Sequence, residues 1–247
     1  MTLAKKETAH ELETESSFLK QARQQLHSYA DAARAQAMQK YFRAYPGEIA
    51  EGDLFIGVRI PQIREVVKSY RSLPLEECSR LLFSEIHEER MLATLLLVAK
   101  YKSGTEATQE QVYGCYLEHL DRINHWDLVD GSCEFIIGPH LEKGGSELIH
   151  QLALAESWWR RRIAIVSTFH LIRKGSFALT LNIAEKLLHD GHDLVQKAVG
   201  WMIKEISKRD LAYAESFVDK HHREMGRTMV RCATEKFPPA VKPLIAT

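Results

Sequence analysis

Cysteine is scarce: Cys78, Cys115, Cys133 and Cys232 stand far apart in 247 residues, and no two form a CxxC pair. That argues against a disulfide framework and for four reduced, mostly buried thiols. The twelve histidines contain no HExxH, so no metal centre is expected. His189 and His192, in HDGHD, read as a turn with solvated imidazoles. Long apolar runs are missing too. The longest, Leu95 to Ala99, is far too short to span a bilayer, so no membrane partner is expected. Thr2 to Gln25 is polar and charged and lacks a signal-peptide core, which predicts a cytoplasmic protein. No stretch alternates convincingly as a strand. Net charge is absent as well, with 33 Lys and Arg against 33 Asp and Glu, which argues weakly against a nucleic-acid binder until the chain is divided.

Residues 158–247 hold 16 Lys and Arg against 9 Asp and Glu, a net of +7, and residues 1–157 hold 17 against 24, a net of −7. Such asymmetry points to an anionic partner for the C-terminal part, or to a solvated surface that happens to be basic there. The rest is helix-forming sequence cut by breakers. Residues 1–16 predict a charged leader and 17–247 a single domain. Phe18 to Arg43 has strong helix composition and is ended by Tyr45-Pro46-Gly47. The loop GEIAEGDLFIGVRIP leads to Pro61, placed as a first helical residue, and a helix runs from there to about Arg71. Helical stretches then come in pairs. Ser72 to Phe83 goes with Glu88 to Lys102, Gln109 to Leu120 with Asn124 to Ile137, and Ser146 to Ala155 with Ser157 to Lys174. Phe177 to Leu188 goes with Asp193 to Lys208, and Leu211 to His222 with Gly226 to Lys236. Breakers such as Gly104, Gly138-Pro139 and Gly175 separate the units. The second members recur with a period of roughly 35 residues, the size of a two-helix repeat. This predicts an all-α fold, an α-α superhelix or solenoid of helical hairpins, in which one row of helices lines a concave face.

Three places carry candidate chemistry. In NHWDLVDGSC, Trp126 and Asp130 are four residues apart and share one helix face, whereas Asp127 points about 100° further round. In the helix around QKAVGWMIKE, Val195, Val199, Met202, Ile203 and Ile206 form one apolar stripe. Trp201 lies roughly 200° from Val199, with Lys197, Lys204 and Lys208 within about 60° of the indole. An indole among ammonium groups suits a sugar–phosphate chain; packing on a neighbouring repeat is the alternative. In Trp158-Trp159-Arg160-Arg161-Arg162, Arg160 and Arg161 are expected to reach solvent. Arg162 shares its side with Trp159, Val166 and Phe169, so it needs an anionic partner. That partner is a ligand or an internal carboxylate, Asp130 included. On spacing alone Asp130 reads first as a structural carboxylate bordering the core or paired to an arginine, since structural ion pairs outnumber catalytic ones.

WDLVD at 126–130, RR-x-A-I-V at 161–166 and QKAVGW at 196–201 resemble the signatures of the AlkD family of DNA alkylation repair glycosylases. Tyr41 with the FIGVRIP loop resembles that family too. The resemblance runs from about Met38 to the C-terminus, with the motifs in order. It implies HEAT-like helical pairs whose basic concave face holds duplex DNA. It also implies excision of N7- and N3-alkylated purines without metal or cofactor, by a monomer that is nucleoid-associated while on DNA. By motif position the catalytic carboxylate falls on Asp130, the two sugar- and phosphate-facing tryptophans on Trp126 and Trp201, and the active-site arginine on Arg162. Tyr41, Arg59, Arg161, Lys197, Lys204 and Lys208 are the candidate DNA contacts. One departure is Arg59, at a place that can carry Gln in the family, where the strand opposite the lesion is contacted. Some members have lost the carboxylate and the activity; this sequence keeps it.

The implied chemistry suits those residues. An alkylated purine is cationic and leaves readily, so the reaction needs a carboxylate to stabilise an oxocarbenium-like sugar and to orient water. The base stays stacked rather than entering a pocket. Two alternatives remain: a non-catalytic helical-repeat protein that binds duplex or branched DNA, and a protein-interaction scaffold.

Overall fold

The computed structural model describes residues 15–238, so the expected leader lies outside the described residues as far as residue 14. Among the described residues the regular structure is helical. Its one β-like feature is an isolated bridge between Leu54 and Ile86, and no helix is long and apolar enough to cross a membrane. The chain divides into two compact units, Met1–Leu96 and Leu97–Thr247.

The first unit holds α1 (Ser17–Ser28), α2 (Ala32–Phe42), α3 (Ile60–Ser69), α4 (Leu75–Leu82) and the start of α5 (His87–Ser103). The single helix expected over Phe18–Arg43 is two. Asp31 stops α1 from continuing because it caps α2, its carboxylate accepting from the Arg34 N–H at 2.9 Å. Ser16 caps α1 in the same way, and its own N–H and hydroxyl donate to Glu77. The FIGVRIP loop is fastened from below. Buried Glu88 accepts from the backbone N–H groups of Ile56, Gly57 and Val58 at 2.8–3.2 Å. Gly57 has φ +80°, and a Cβ there would lie 2.2 Å from the Asp31 carbonyl, so only glycine fits.

The second unit continues with α6 (Glu106–Glu118), α7 (Trp126–Asp130), α8 (Cys133–Ile136), α9 (Gly138–Glu142), α10 (Ser146–Ala153), α11 (Trp158–Ser167), α12 (Phe169–Arg173), α13 (Ala178–Lys186), α14 (Asp193–Ser207), α15 (Leu211–His221) and α16 (Arg227–Ala233). The second helices of the expected pairs start at His87, Trp126, Trp158, Asp193 and Arg227, which keeps the repeat seen in the sequence. Helix α10 packs on α11 and α13 on α14, while α7, α11, α14 and α16 touch in series. That series is the row from which the candidate residues project.

Two expected helices are interrupted. Asn124–Ile137 breaks at Gly131-Ser132. There the Ser132 hydroxyl turns back to the Leu128 carbonyl and lies 2.7 Å from the Tyr116 hydroxyl, giving the backbone another acceptor arrangement. Ser157–Lys174 bends at Thr168, where Ser167 and Thr168 hydroxyls bond back to the Ile163 and Ile165 carbonyls. Gly138-Pro139, expected as a breaker, instead opens α9, since a proline in the first turn gives up no helical bond.

The apolar stripe of α14 is as the spacing predicts: Val195, Val199, Met202, Ile203 and Ile206 are fully buried, each worth about 1.5–3 kcal/mol. Beside it, α16 comes close at Gly200. A Cβ on Gly200 would lie 2.6 Å from the Met229 carbonyl oxygen and 2.7 Å from Cys232 Cβ. In α11 every residue from Arg162 to Ser167 is buried.

Candidate active site

Arg162 is the junction of the second unit. Its Nε donates to Asp130 Oδ1 at 3.0 Å and its Nη2 to Asp130 Oδ2 at 2.7 Å, a two-pronged pair. Its Nη1 donates to the Leu194 carbonyl in the first turn of α14. One guanidinium on α11 thus ties the helix that carries Trp126 and Asp130 to the helix that carries Trp201. The Arg162 side chain is 6 % exposed and that of Asp130 22 %. The arginine is sunk between helices while its partner stays open on one side. Burial pushes the Asp130 carboxyl above its ordinary value, Arg162 pulls it back, and burial prevails.

Trp126 is half-buried one turn before Asp130. Its ring lies 5.6 Å from that of His125, whose Nδ1 donates to the Asp127 carboxylate at 2.8 Å. A run of rings continues from there. His125 is 5.6 Å from Trp159, Trp159 3.4 Å from Trp158, and Trp158 is stacked on His192 at 3.6 Å. His192 is therefore not the solvated turn histidine expected: its Nδ1 accepts from the Leu194 N–H and caps α14. Burial holds its pKa below the ordinary histidine value, which suits an unprotonated acceptor nitrogen.

Trp201 sits half-buried on α14, edge-on to Phe169 at 5.5 Å. Its indole N–H donates to Glu205 at 3.2 Å. The three lysines expected around it are present, but each holds an acid. Lys197 pairs with Asp193 at 3.0 Å, Lys204 with Glu235 at 2.9 Å and Lys208 with Glu205 at 2.5 Å. Lys197 and Lys208 are about half exposed and Lys204 largely covered.

Arg161 corrects an expectation. Rather than reaching solvent, it is 20 % exposed and clamps Asp190 while donating to the Ala155 and Glu156 carbonyls. One register step separates it from Arg162, and α11 turns it into the loop instead of toward Asp130. Arg160 pairs with Asp121 at the surface. In the first unit, Tyr41 on α2 is 70 % exposed and Arg59, also exposed, starts α3 beside the loop held by Glu88.

The structure thus joins Asp130 and Arg162 directly, and places Trp126 and Trp201 on the two helices that this pair bridges. Glu205, Asp190, His192 and the Leu194 carbonyl were not singled out as part of this site. Glu205 had a signal, an acid four residues beyond a tryptophan, which helical spacing puts on one face.

A family model described as DNA alkylation repair enzyme matches residues 22–237. A solved structure, described as a predicted DNA alkylation repair enzyme from Enterococcus faecalis, superposes with a TM-score of 0.67 at 17 % identity, covering 85 % of this chain and 97 % of that one. No curated protein matches the chain.

Proposed function

We propose, since the chain belongs to the DNA alkylation repair enzyme family, that it is a monofunctional DNA glycosylase for cationic N7- and N3-alkylated purines in duplex DNA. The observation that carries the reading is the partly exposed Asp130 carboxylate, fixed by a buried arginine, one turn from Trp126. The bonds from Arg162 use one lone pair on each oxygen and leave the others for sugar or water. In the reaction, the C1′–N9 bond breaks and its electron pair leaves with the purine, discharging the base. Asp130 stabilises the positive charge that develops on the deoxyribose. Water then adds at C1′ and its proton passes to the carboxylate. The faces of Trp126 and Trp201 hold the sugar and attract its charge. No acid is needed at the leaving group, so no metal or organic cofactor has a step to perform. The base remains stacked. The protein acts as a monomer, in the cytoplasm and on the nucleoid.

Tyr41 and Arg59, both exposed, supply contacts to the duplex, as do Lys197 and Lys208 after exchanging their acids for phosphates. Lys204 does so less readily. Arg161 acts as a clamp behind them.

The two-pronged Arg162–Asp130 pair also suits a second reading, a plain structural bridge in a DNA-binding or protein-binding repeat array. Duplex with a single N7-methylguanine, scored for abasic sites, separates the two. Asp130→Asn should retain binding and lose roughly 100-fold or more in excision, and Trp201→Ala should weaken both. Wild-type rates from Asp130→Asn leave only the bridge.

A further inference from the structure

Glu205 is a buried acid on a helix proposed to face an anionic polymer, which calls for a cause. It lies one turn beyond Trp201 on α14 and is 8 % exposed. Its Oε1 accepts from the Trp201 indole N–H at 3.2 Å and from Lys208 at 2.5 Å, and its Oε2 from Arg209 at 3.2 Å. Arg209 also donates to the Glu205 backbone carbonyl at 2.7 Å and reaches over the Phe169 ring, 5.9 Å from its centroid. Phe169 meets the indole edge-on, with ring centroids 5.5 Å apart. The indole is therefore held at its nitrogen by a carboxylate and along its flank by a ring.

We propose that Glu205 is a positioning residue for the excision reaction: it fixes the rotation of the Trp201 indole and, by accepting its N–H, makes the ring face more attractive to a positive sugar. The proposal rests on the glycosylase reading above. The physics has two parts. A hydrogen bond from an indole to an anion pushes electron density into the ring, which strengthens attraction for a cation over its face. The negative charge that does this would repel phosphates, and Arg209 offsets it even when Lys208 turns to a phosphate. Burial pushes the Glu205 carboxyl up, but the hydrogen bonds from Lys208, Arg209 and Trp201 outweigh it and hold its pKa below the ordinary glutamate value. The group is accordingly ionised at neutral pH.

An acid that only braced α14 would affect excision and binding together. A positioning acid splits them. The test compares wild type, Glu205→Gln and Glu205→Leu in single-turnover excision of N7-methylguanine and in affinity for the same duplex. It also follows the indole N–H resonance of Trp201, assigned with Trp201→Phe. Glu205→Leu should excise about tenfold more slowly, bind duplex as tightly as wild type or more so, and shift the indole proton upfield. Glu205→Gln, which keeps an acceptor but not the charge, should fall between. Wild-type excision by both variants, an unmoved indole resonance, or a parallel fall of excision, affinity and melting temperature overturns the proposal. If Glu205→Leu does not fold, the isosteric glutamine variant decides alone. A wild-type protein that excises nothing removes the glycosylase reading, and this proposal with it, whereas normal wild-type excision with unaffected variants removes the Glu205 role alone.

Discussion

In the proposed reaction the Asp130 carboxylate faces a positive sugar and has to be ionised, and two influences compete over it. Burial raises its pKa above the ordinary value of 3.8, and Arg162 limits the rise. Excision should therefore be lost as pH falls through that raised value, giving an acidic limb above the ordinary aspartate range. Arg162→Gln removes the charge that favours the anion, so the limb should move to higher pH, and Arg162→Lys should restore part of it. A pH series of single-turnover rates checks this, and a limb that moves down, or not at all, removes Asp130 as the titrating group. The glutamine variant should also cost about 3 kcal/mol in unfolding free energy, since it leaves a partly buried carboxylate without its partner. The motif made Asp130 and Arg162 legible in the sequence. The helix face separates Arg162 from Arg161, its neighbour about 100° round the helix, but it does not show that Arg161 meets Asp190, because only the packing of α11 brings that loop to it.

Helix existence was far easier to read than helix continuity. The amphipathic stripe of α14 follows from the period alone. The breaks at Asp31, Gly131-Ser132 and Thr168 depend on small polar side chains that choose between solvent and their own backbone, and that choice is made by tertiary neighbours such as Tyr116. Gly200 was visible in QKAVGW but its purpose was not, because nothing in a sequence shows that Met229 and Cys232 arrive across from it. Gly200→Val should force α14 and α16 apart and cost about 2–3 kcal/mol by denaturant titration. A change below about 0.5 kcal/mol would mean that α16 yields easily and that the close approach is not a constraint.

The charge asymmetry between the two parts of the chain is real in composition, yet the cations around Trp201 are already engaged. Asp193, Glu205 and Glu235 hold Lys197, Lys208 and Lys204. In the proposed complex with duplex these acids give way to phosphates, so part of the attraction is offset by ion pairs the protein makes with itself. Asp193→Asn, which releases Lys197, should tighten duplex affinity by roughly two- to fivefold at low salt. It should also steepen the dependence of affinity on salt. An unchanged affinity and slope would place Lys197 outside the interface. Net charge was legible in the sequence, and Lys197–Asp193 and Lys208–Glu205 are pairs within one turn of α14, but Lys204–Glu235, 31 residues apart, was not legible, because only the folded repeat brings those positions together.

The guanidinium of Arg162 draws on three successive hairpins at once, taking a carboxylate from one, its own backbone from the next and a carbonyl from the third. No unit can be deleted from the interior of this array, nor can a consensus repeat be spliced in between Trp126 and Trp201, without changing which groups converge. Grafting the Asp130, Arg162 and Trp201 cluster onto another scaffold would mean carrying residues 106–209 across as one block.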